Sequence, residues 1–288
     1  MKHIILSAGI AAVVAALIVT FYGGHTSPTP DHKESTYDRV MRTGEIRCAY
    51  GTAIPWLYKD AKDNQMKGYV YDLTNELGRR LSLKIVWDGG DVGWEQIVPT
   101  IQSGRADMAC STLWQSAARG RVLSFTRPLW YNQIRMYSRK DDSRFNDGRI
   151  ENLNADTLTM PMVDGGESEQ ILETYFPLTK RLSMPPTSMP EDFFLALTTK
   201  KVDAVAVDVG VMNNFNRSHP GLIKEIPLEK PLHVYPSAFV VDIKENALRE
   251  MVDSAVAELI NTGYVERLLT PEIASNPGSF LLTAPGYN

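Results

Sequence analysis

Two well-separated stretches of the chain carry one pattern. Ile101 to Thr112 reads IQSGRADMACST, and Leu197 to Asp208 reads LTTKKVDAVAVD. Each runs from a helix end through a basic residue to an Asp that opens a strand, Asp107 or Asp203. Each then finishes on a polar residue at the strand's exit, Thr112 or Asp208. A repeated helix–strand unit restricts the chain to α/β architecture with two lobes of like build. Polar groups just past a strand end are where open α/β sheets place their ligands. The stretch from Trp94 to Tyr131 fits that rule, because its polar loop ends on a lone basic residue, Arg119.

Composition narrows the class further. The chain has 288 residues, one large or two modest domains at roughly 100–200 residues each. Its 43% apolar and 22% charged residues are those of an ordinary soluble globular protein. A net charge of −4, without a basic run interleaved with aromatics, argues against nucleic-acid binding. The five histidines, His3, His25, His32, His219 and His233, lack metal-ligand spacing, so neither a metal nor a cofactor is expected. The chain carries no GxSxG, HExxH, P-loop or dinucleotide fingerprint.

The N-terminus stands apart. Ile4 to Tyr22 is apolar and uncharged, longer than a usual signal-peptide core and close to the ~20 residues that span a bilayer. Residues 1–22 are therefore expected to be a cleaved signal peptide or a retained membrane anchor. Either places the rest outside the cytoplasm, in the periplasm or on the cell's outer face, anchored in the inner membrane if residues 4–22 are kept. Gly23 to Thr36, rich in Pro, Ser, Thr and Gly, reads as a linker. Export permits a disulfide between Cys48 and Cys110. Both sit inside expected strands, where cysteine is more often a buried small apolar residue, and that reading is the favoured one.

Beyond the linker, strands are expected at Ile46–Tyr50, Leu83–Trp87, Ala106–Cys110, Thr159–Val163 and Val202–Val207, with an extended piece at Gln133–Arg139. Helices are expected over Tyr37–Met41, Tyr71–Leu81, Glu95–Ser103, Ser168–Phe176, Pro190–Thr198 and Tyr264–Leu269, and over Asn246–Thr262, whose apolar stripe needs a partner to cover. If that last stripe packs back on the first lobe, the chain crosses between lobes twice, near Tyr131–Gln133 and near Tyr235–Ala238.

In this order the motifs resemble the extracellular solute-binding proteins of amino-acid ABC transporters, across about Tyr37 to Leu269. GYVYDLTNELGRRL is similar to the family's Gly-aromatic-acidic-x-acidic-leucine signature, with Val70 in place of its first acid. WEQIVPTIQSGRADMACS and RGRVLSFT resemble its Trp-acidic…Ser-Gly-basic-x-Asp run and its Arg…Phe-Ser segment. The resemblance implies a type 2 periplasmic binding fold: two Rossmann-like lobes joined by two hinge strands, with the ligand cleft between them. The implied bounds are residues 37–132 plus 238–288 for lobe one and 133–237 for lobe two. It also implies an exported monomer that binds a small amino-acid-like ligand and docks on a membrane permease.

Carried over position by position, Arg119 matches the arginine that grips the ligand's carboxylate, a role suited to a planar guanidinium with two parallel donors. Ser111 and Thr112 match hydroxyl positions beside it, and Ser168 matches a Thr at a helix start. Ser168 is compatible with a plain N-cap as well. Asp208 matches the acceptor of the ligand's ammonium, although a strand-exit Asp also suits a cap for a helix from Val209 to Phe215. Tyr50, Trp94 and Trp114 fall at pocket-wall positions, making the side-chain end aromatic and short of carboxylates. A neutral or apolar amino acid fits that expectation better than lysine or arginine, and a cation over the aromatic faces remains open. Two further readings share the architecture. One is a cyclohexadienyl dehydratase-like lyase with Glu169 as general acid, against which stands the ordinary preference for acids in a helix's first turn. The other is a membrane-tethered sensor ectodomain.

Overall fold

The computed structural model describes residues 34–87 and 90–285, and the compact unit that carries the site begins at Thr36. The expected leader or anchor, nearly all of the linker, and the pair Asp88-Gly89 lie outside the described residues. Among the described residues no helix is long and apolar enough to cross a membrane.

The chain opens with α1 (Thr36–Thr43), β1 (Glu45–Ala49), a small hairpin of β2 (Tyr58–Lys59) and β3 (Met66–Lys67), α2 (Tyr69–Leu81) and β4 (Lys84–Val86). After a 3₁₀ turn at Trp94–Gln96 come α3 (Ile97–Gln102), β5 (Met108–Trp114), a second turn at Arg119–Arg121, β6 (Leu123–Phe125) and the long β7 (Trp130–Arg139). Next are β8 (Thr159–Val163), α4 (Glu167–Tyr175), β9 (Lys180–Met184), α5 (Pro190–Thr198), β10 (Val205–Asp208), α6 (Val209–Ser218) and β11 (Ile223–Glu225). The long β12 (His233–Asp242), α7 (Asn246–Asn261) and α8 (Tyr264–Ser275) complete the set.

One curled sheet runs through the molecule in the order β10–β7–β12–β5–β1–β4, with β11 added on β7 and β6 on β12. Its middle is the antiparallel pair β7–β12, in register from His233 opposite Ile134 to Ser237 opposite Trp130. On one side of that pair β1 lies parallel between β4 and β5. On the other, β10 pairs antiparallel with β7, while β8 and β9 pair in parallel as a separate two-stranded sheet. The duplicated Asp explains why the two sides look alike. Asp107 donates its N–H to Arg47 O at 2.9 Å and accepts Arg47 N–H on its carboxylate at 2.7 Å. Asp203 does the same with Thr159, at 2.8 and 2.9 Å. In each copy the Asp therefore pins the strand it opens to a neighbouring strand, and an arginine neutralises it: Arg47 of that same neighbouring strand for Asp107, and Arg144 from a loop for Asp203, both at 2.7 Å.

Apolar burial divides along the same line. One core gathers Ile46, Leu73, Leu77, Met108 and Phe239 with Leu248, Val252, Val256 and Leu259 of α7. The stripe on α7 thus packs back onto the first lobe, as its periodicity requires. Other cores gather Ile134, Met160, Ile171 and Phe176, and Tyr137, Phe194, Val205 and Phe215.

Two expectations need correction. Cys48 and Cys110 form a disulfide, with Cα atoms 5.3 Å apart. The register pairs Cys48 with Met108, and Cys110 follows two positions later on the same face of β5, so both thiols meet under α2. Strand pairing, which spacing along the chain does not encode, decides this. Second, β5 extends to Trp114, past the expected end at Cys110, because β12 lies alongside it. The register there slips: four steps of β5, Leu113 to Ala109, face two steps of β12, Ala238 to Val240. Thr112 sits in this bulge at φ 53°, a left-handed conformation that a β-branched residue rarely adopts. Beyond these, the residues after α8, for which the sequence predicts no element, pack against β7. Leu281 pairs with Tyr131 through both backbone bonds, at 2.8 and 2.9 Å. Gln133 and Asn132 side chains donate to Gly278 O and Ser279 O at 3.1 and 3.3 Å. This strap lies across the start of β7.

Candidate ligand cleft

Where β5, β7, β10 and β12 converge, a cavity of about 470 Å³ opens between the two sides of the sheet. Its wall includes Trp94, Ser111, Thr112, Trp114, Arg119, Ser168 and Asp208, so the structure brings together seven of the eight ligand positions expected from sequence. Tyr50 is the exception. It is 5% exposed, packed edge-on against Trp87 at 5.5 Å, and belongs to the core. Its chain position at the end of β1 resembles a pocket position, but its ring turns toward the β4 side.

Arg119 reaches the cleft from the connection after β5. Its Nη1 donates to Trp114 O at 3.0 Å and lies 3.2 Å from Glu167 Oε1. Glu167, at the first position of α4, also accepts from Ser116 Oγ at 3.0 Å. The pair spans the cleft. Glu167's other oxygen, Oε2, is buried without a hydrogen-bond partner, as are Ser111 Oγ and Tyr69 Oη. All three residues line the cavity.

Asp208 lines the same cleft, 1% exposed. It caps α6, accepting from Gly210 N at 2.7 Å and Val211 N at 3.4 Å. Asn132 Nδ2 donates to its other oxygen at 3.0 Å. Burial pushes its carboxyl up from 3.8 to about 7, although these donors oppose the shift. The cap is thus built, and it leaves the residue on the cavity wall. Asn132 itself is a hub: its Oδ1 accepts from Ser237 Oγ, Trp130 Nε1 and Trp114 Nε1, at 2.7, 3.1 and 3.3 Å.

Ser168 lines the cavity but is not the N-cap, which is Gly166. Its Oγ accepts Val163 N–H at 2.9 Å and so ties the helix start to the end of β8. Trp94 lies flat on Gly51, where a Cβ would meet its ring at 2.9 Å. Trp114 stacks parallel on Tyr235 at 4.9 Å, and His233 packs on that ring's other neighbourhood at 4.1 Å. Its bulk is used to hold β5 against β12 as well as to wall the cleft.

The expectation of a cleft short of carboxylates is overturned. Glu167 and Glu191, each in the first turn of a helix, both line it, and desolvation raises the Glu191 carboxyl. A helix-start acid reads from sequence as a macrodipole partner, which is why neither was expected among the ligand positions. Trp56, Tyr69, Trp130 and Phe280 complete an aromatic wall. Gly68, at φ 111°, lets the chain place Trp56 and Tyr69 side by side, since a Cβ there would meet Trp56 O at 2.2 Å. Glu169, the acid of the lyase reading, turns away: its carboxylate accepts Gly165 N–H at 2.7 Å and is not on the cavity wall.

Residues 46–271 match the bacterial extracellular solute-binding proteins, family 3. The chain belongs to that family. A probable histidine-binding protein of Campylobacter jejuni is 20% identical over 209 residues, covering 72% of this chain and 77% of the relative. Among solved structures, the ancestral amino acid-binding protein AncCDT-1, a precursor of cyclohexadienyl dehydratase, superposes with a TM-score of 0.69 at 20% identity. The match covers 83% of this chain and 99% of that one. The substrate-binding protein AbpA of an amino acid ABC transporter from Streptococcus pneumoniae, bound to L-arginine, gives 0.69 at 19% identity, covering 83% and 98%. The fold is accordingly the type 2 periplasmic binding fold, and the protein is a binder, not an enzyme.

Proposed function

We propose that the chain captures a small amino-acid-like ligand between its lobes and presents the closed form to the membrane permease of an ABC transporter. The observation that carries this reading is that Arg119 and Asp208 line one and the same cavity. A guanidinium and a carboxylate together match the two charged ends of an α-amino acid. Ligand bridging the two binds the closed arrangement better than an open one and shifts the population toward it.

In this reading Arg119 takes the ligand's carboxylate, assisted by the free Ser111 hydroxyl and by Thr112, and Asp208 accepts the ammonium. Ser168, Trp94 and Trp114 bound the rest. The lobes are assigned to residues 37–132 plus 238–288 and to 133–237, and the apolar run Ile4–Tyr22 exports or anchors the chain. Names given to the relatives, a histidine binder and an arginine-bound protein, support the ligand class. Arg119→Ala is expected to weaken binding by roughly 2–5 kcal/mol, the range for truncating one side of a buried charged pair. Calorimetric titration of amino acids into the purified protein and the variant tests this, and an unchanged dissociation constant sinks the assignment.

A further inference from the structure

Within the cleft the charges do not balance. Among the described residues one basic side chain, Arg119, lines it against three acidic ones, Glu167, Glu191 and Asp208. Arg119 is already engaged by Glu167 at 3.2 Å. Glu167 is nine-tenths buried, its Oε1 taken by Arg119 and Ser116, and its Oε2 buried in the cavity wall without a partner. An unpaired carboxylate oxygen held out of water is costly, and a donor arriving with the ligand removes that cost. The wall around it is aromatic, through Trp56, Tyr69, Trp94, Trp114 and Trp130. Aromatic faces favour a cation over an anion.

We propose that this cleft selects ligands of net positive charge, and that Glu167 sets the preference by exchanging Arg119 for a cationic group of the ligand. The inference rests on the amino-acid reading above. When a ligand carboxylate takes Arg119, it displaces Glu167 and leaves a carboxylate facing two others. A zwitterion brings no charge to compensate that carboxylate. A ligand with one further cationic group does, so the exchange of ion pairs closes only for the cation. No bond is made or broken: two ion pairs replace one.

The test is calorimetric titration of L-arginine, L-lysine, L-glutamine, L-leucine, L-glutamate and agmatine into the wild-type protein, Glu167→Gln and Glu191→Gln. At least one of the two cationic amino acids is expected to bind wild type at least roughly tenfold more tightly than the neutral ones, about 1.4 kcal/mol, with L-glutamate weakest. Glu167→Gln should bring cationic and neutral ligands to within that factor of each other. Glu191→Gln, on a separate helix, should reduce the preference in the same direction and guards against a Glu167 variant that misfolds. Neutral or acidic ligands binding wild type as tightly as the cations overturns the proposal, and so does a preference that survives both substitutions. Agmatine, cationic but without a carboxylate, separates the two readings. If it binds as tightly as L-arginine and loses affinity in Glu167→Gln, cation selection stands and the carboxylate grip of Arg119 falls. Should neutral amino acids bind best and depend on Arg119, the amino-acid reading stands and cation selection falls.

Discussion

Asp208 concentrates the molecule's competing demands in one side chain. It must cap α6, which favours the carboxylate, yet it is buried, which favours the acid. Burial wins, and the carboxyl stands at about 7 instead of 3.8. Between those two values the folded protein keeps a proton that the unfolded chain has lost. Stability contributed by this group is therefore fully present below about 4 and lost as pH rises through about 7. Ligand binding has the opposite slope, because an ammonium or other cation favours the ionised form. Affinity should thus strengthen as pH rises from 5.5 to 8, around the Asp208 value of about 7, with a proton released on binding. Titrations in buffers of different ionisation enthalpy measure that proton directly. Asp208→Asn should flatten both the binding and the stability profiles relative to wild type, and wild-type affinity that is flat across this range argues against an ammonium at Asp208.

At the scale of elements, the strap from Asn276 to Leu281 lies past the end of the family match at 271. It nevertheless builds the site. Phe280, 4% exposed, is enclosed edge-on by Trp130, Tyr69 and Trp56 at 5.5, 5.6 and 6.4 Å. Strap residues also touch α6, where Asn213 donates to Pro277 O at 3.5 Å and Arg217 bonds Asn276. Phe280→Ala should destabilise the fold by about 3–5 kcal/mol, the usual range for a buried Phe, and weaken ligand binding through a loosened Tyr69 and Trp56. Urea unfolding followed by tryptophan fluorescence reads the first effect and titration the second. None of this was legible in the sequence, because a single aromatic in a non-periodic tail carries no pattern and its partners lie far back in the chain. The helix–strand duplication, by contrast, was legible down to its Asp residues, since local periodicity and turn chemistry encode it. Arg119 lies five residues past the end of β5, and Asp208 is the last residue of β10. They stood out for the same reason, each being a polar group at or beyond a strand's exit, and the family resemblance supplied their expected roles. Glu167 reads from sequence, like Glu169, as a helix-start acid, and only the tertiary approach of Arg119 gives it a second role. The disulfide and the Thr112 bulge depend on register, which emerges when β5 meets β1 and β12.

For the molecule as a whole, closure is governed by what crosses the cleft besides β7 and β12. The contacts of Glu167 with Ser116 at 3.0 Å and Arg119 at 3.2 Å join the β5–β6 connection to α4, and thus one lobe to the other. Hydrogen bonds to charged groups contribute about 1.5–3 kcal/mol each, and every 1.4 kcal/mol is about tenfold in an equilibrium. Removing the Glu167 side chain should therefore move the open–closed equilibrium by roughly tenfold to a hundredfold toward open. In small-angle scattering without added ligand, Glu167→Ala should give a larger radius of gyration than wild type. Saturating ligand should then compact the variant more than it compacts wild type. Scattering curves of the two proteins that superimpose both with and without ligand would falsify a closing role for the pair. A larger variant that no ligand compacts would instead show that Glu167 is required for the bound state itself, since a ligand that merely replaced its contact would still draw the lobes together.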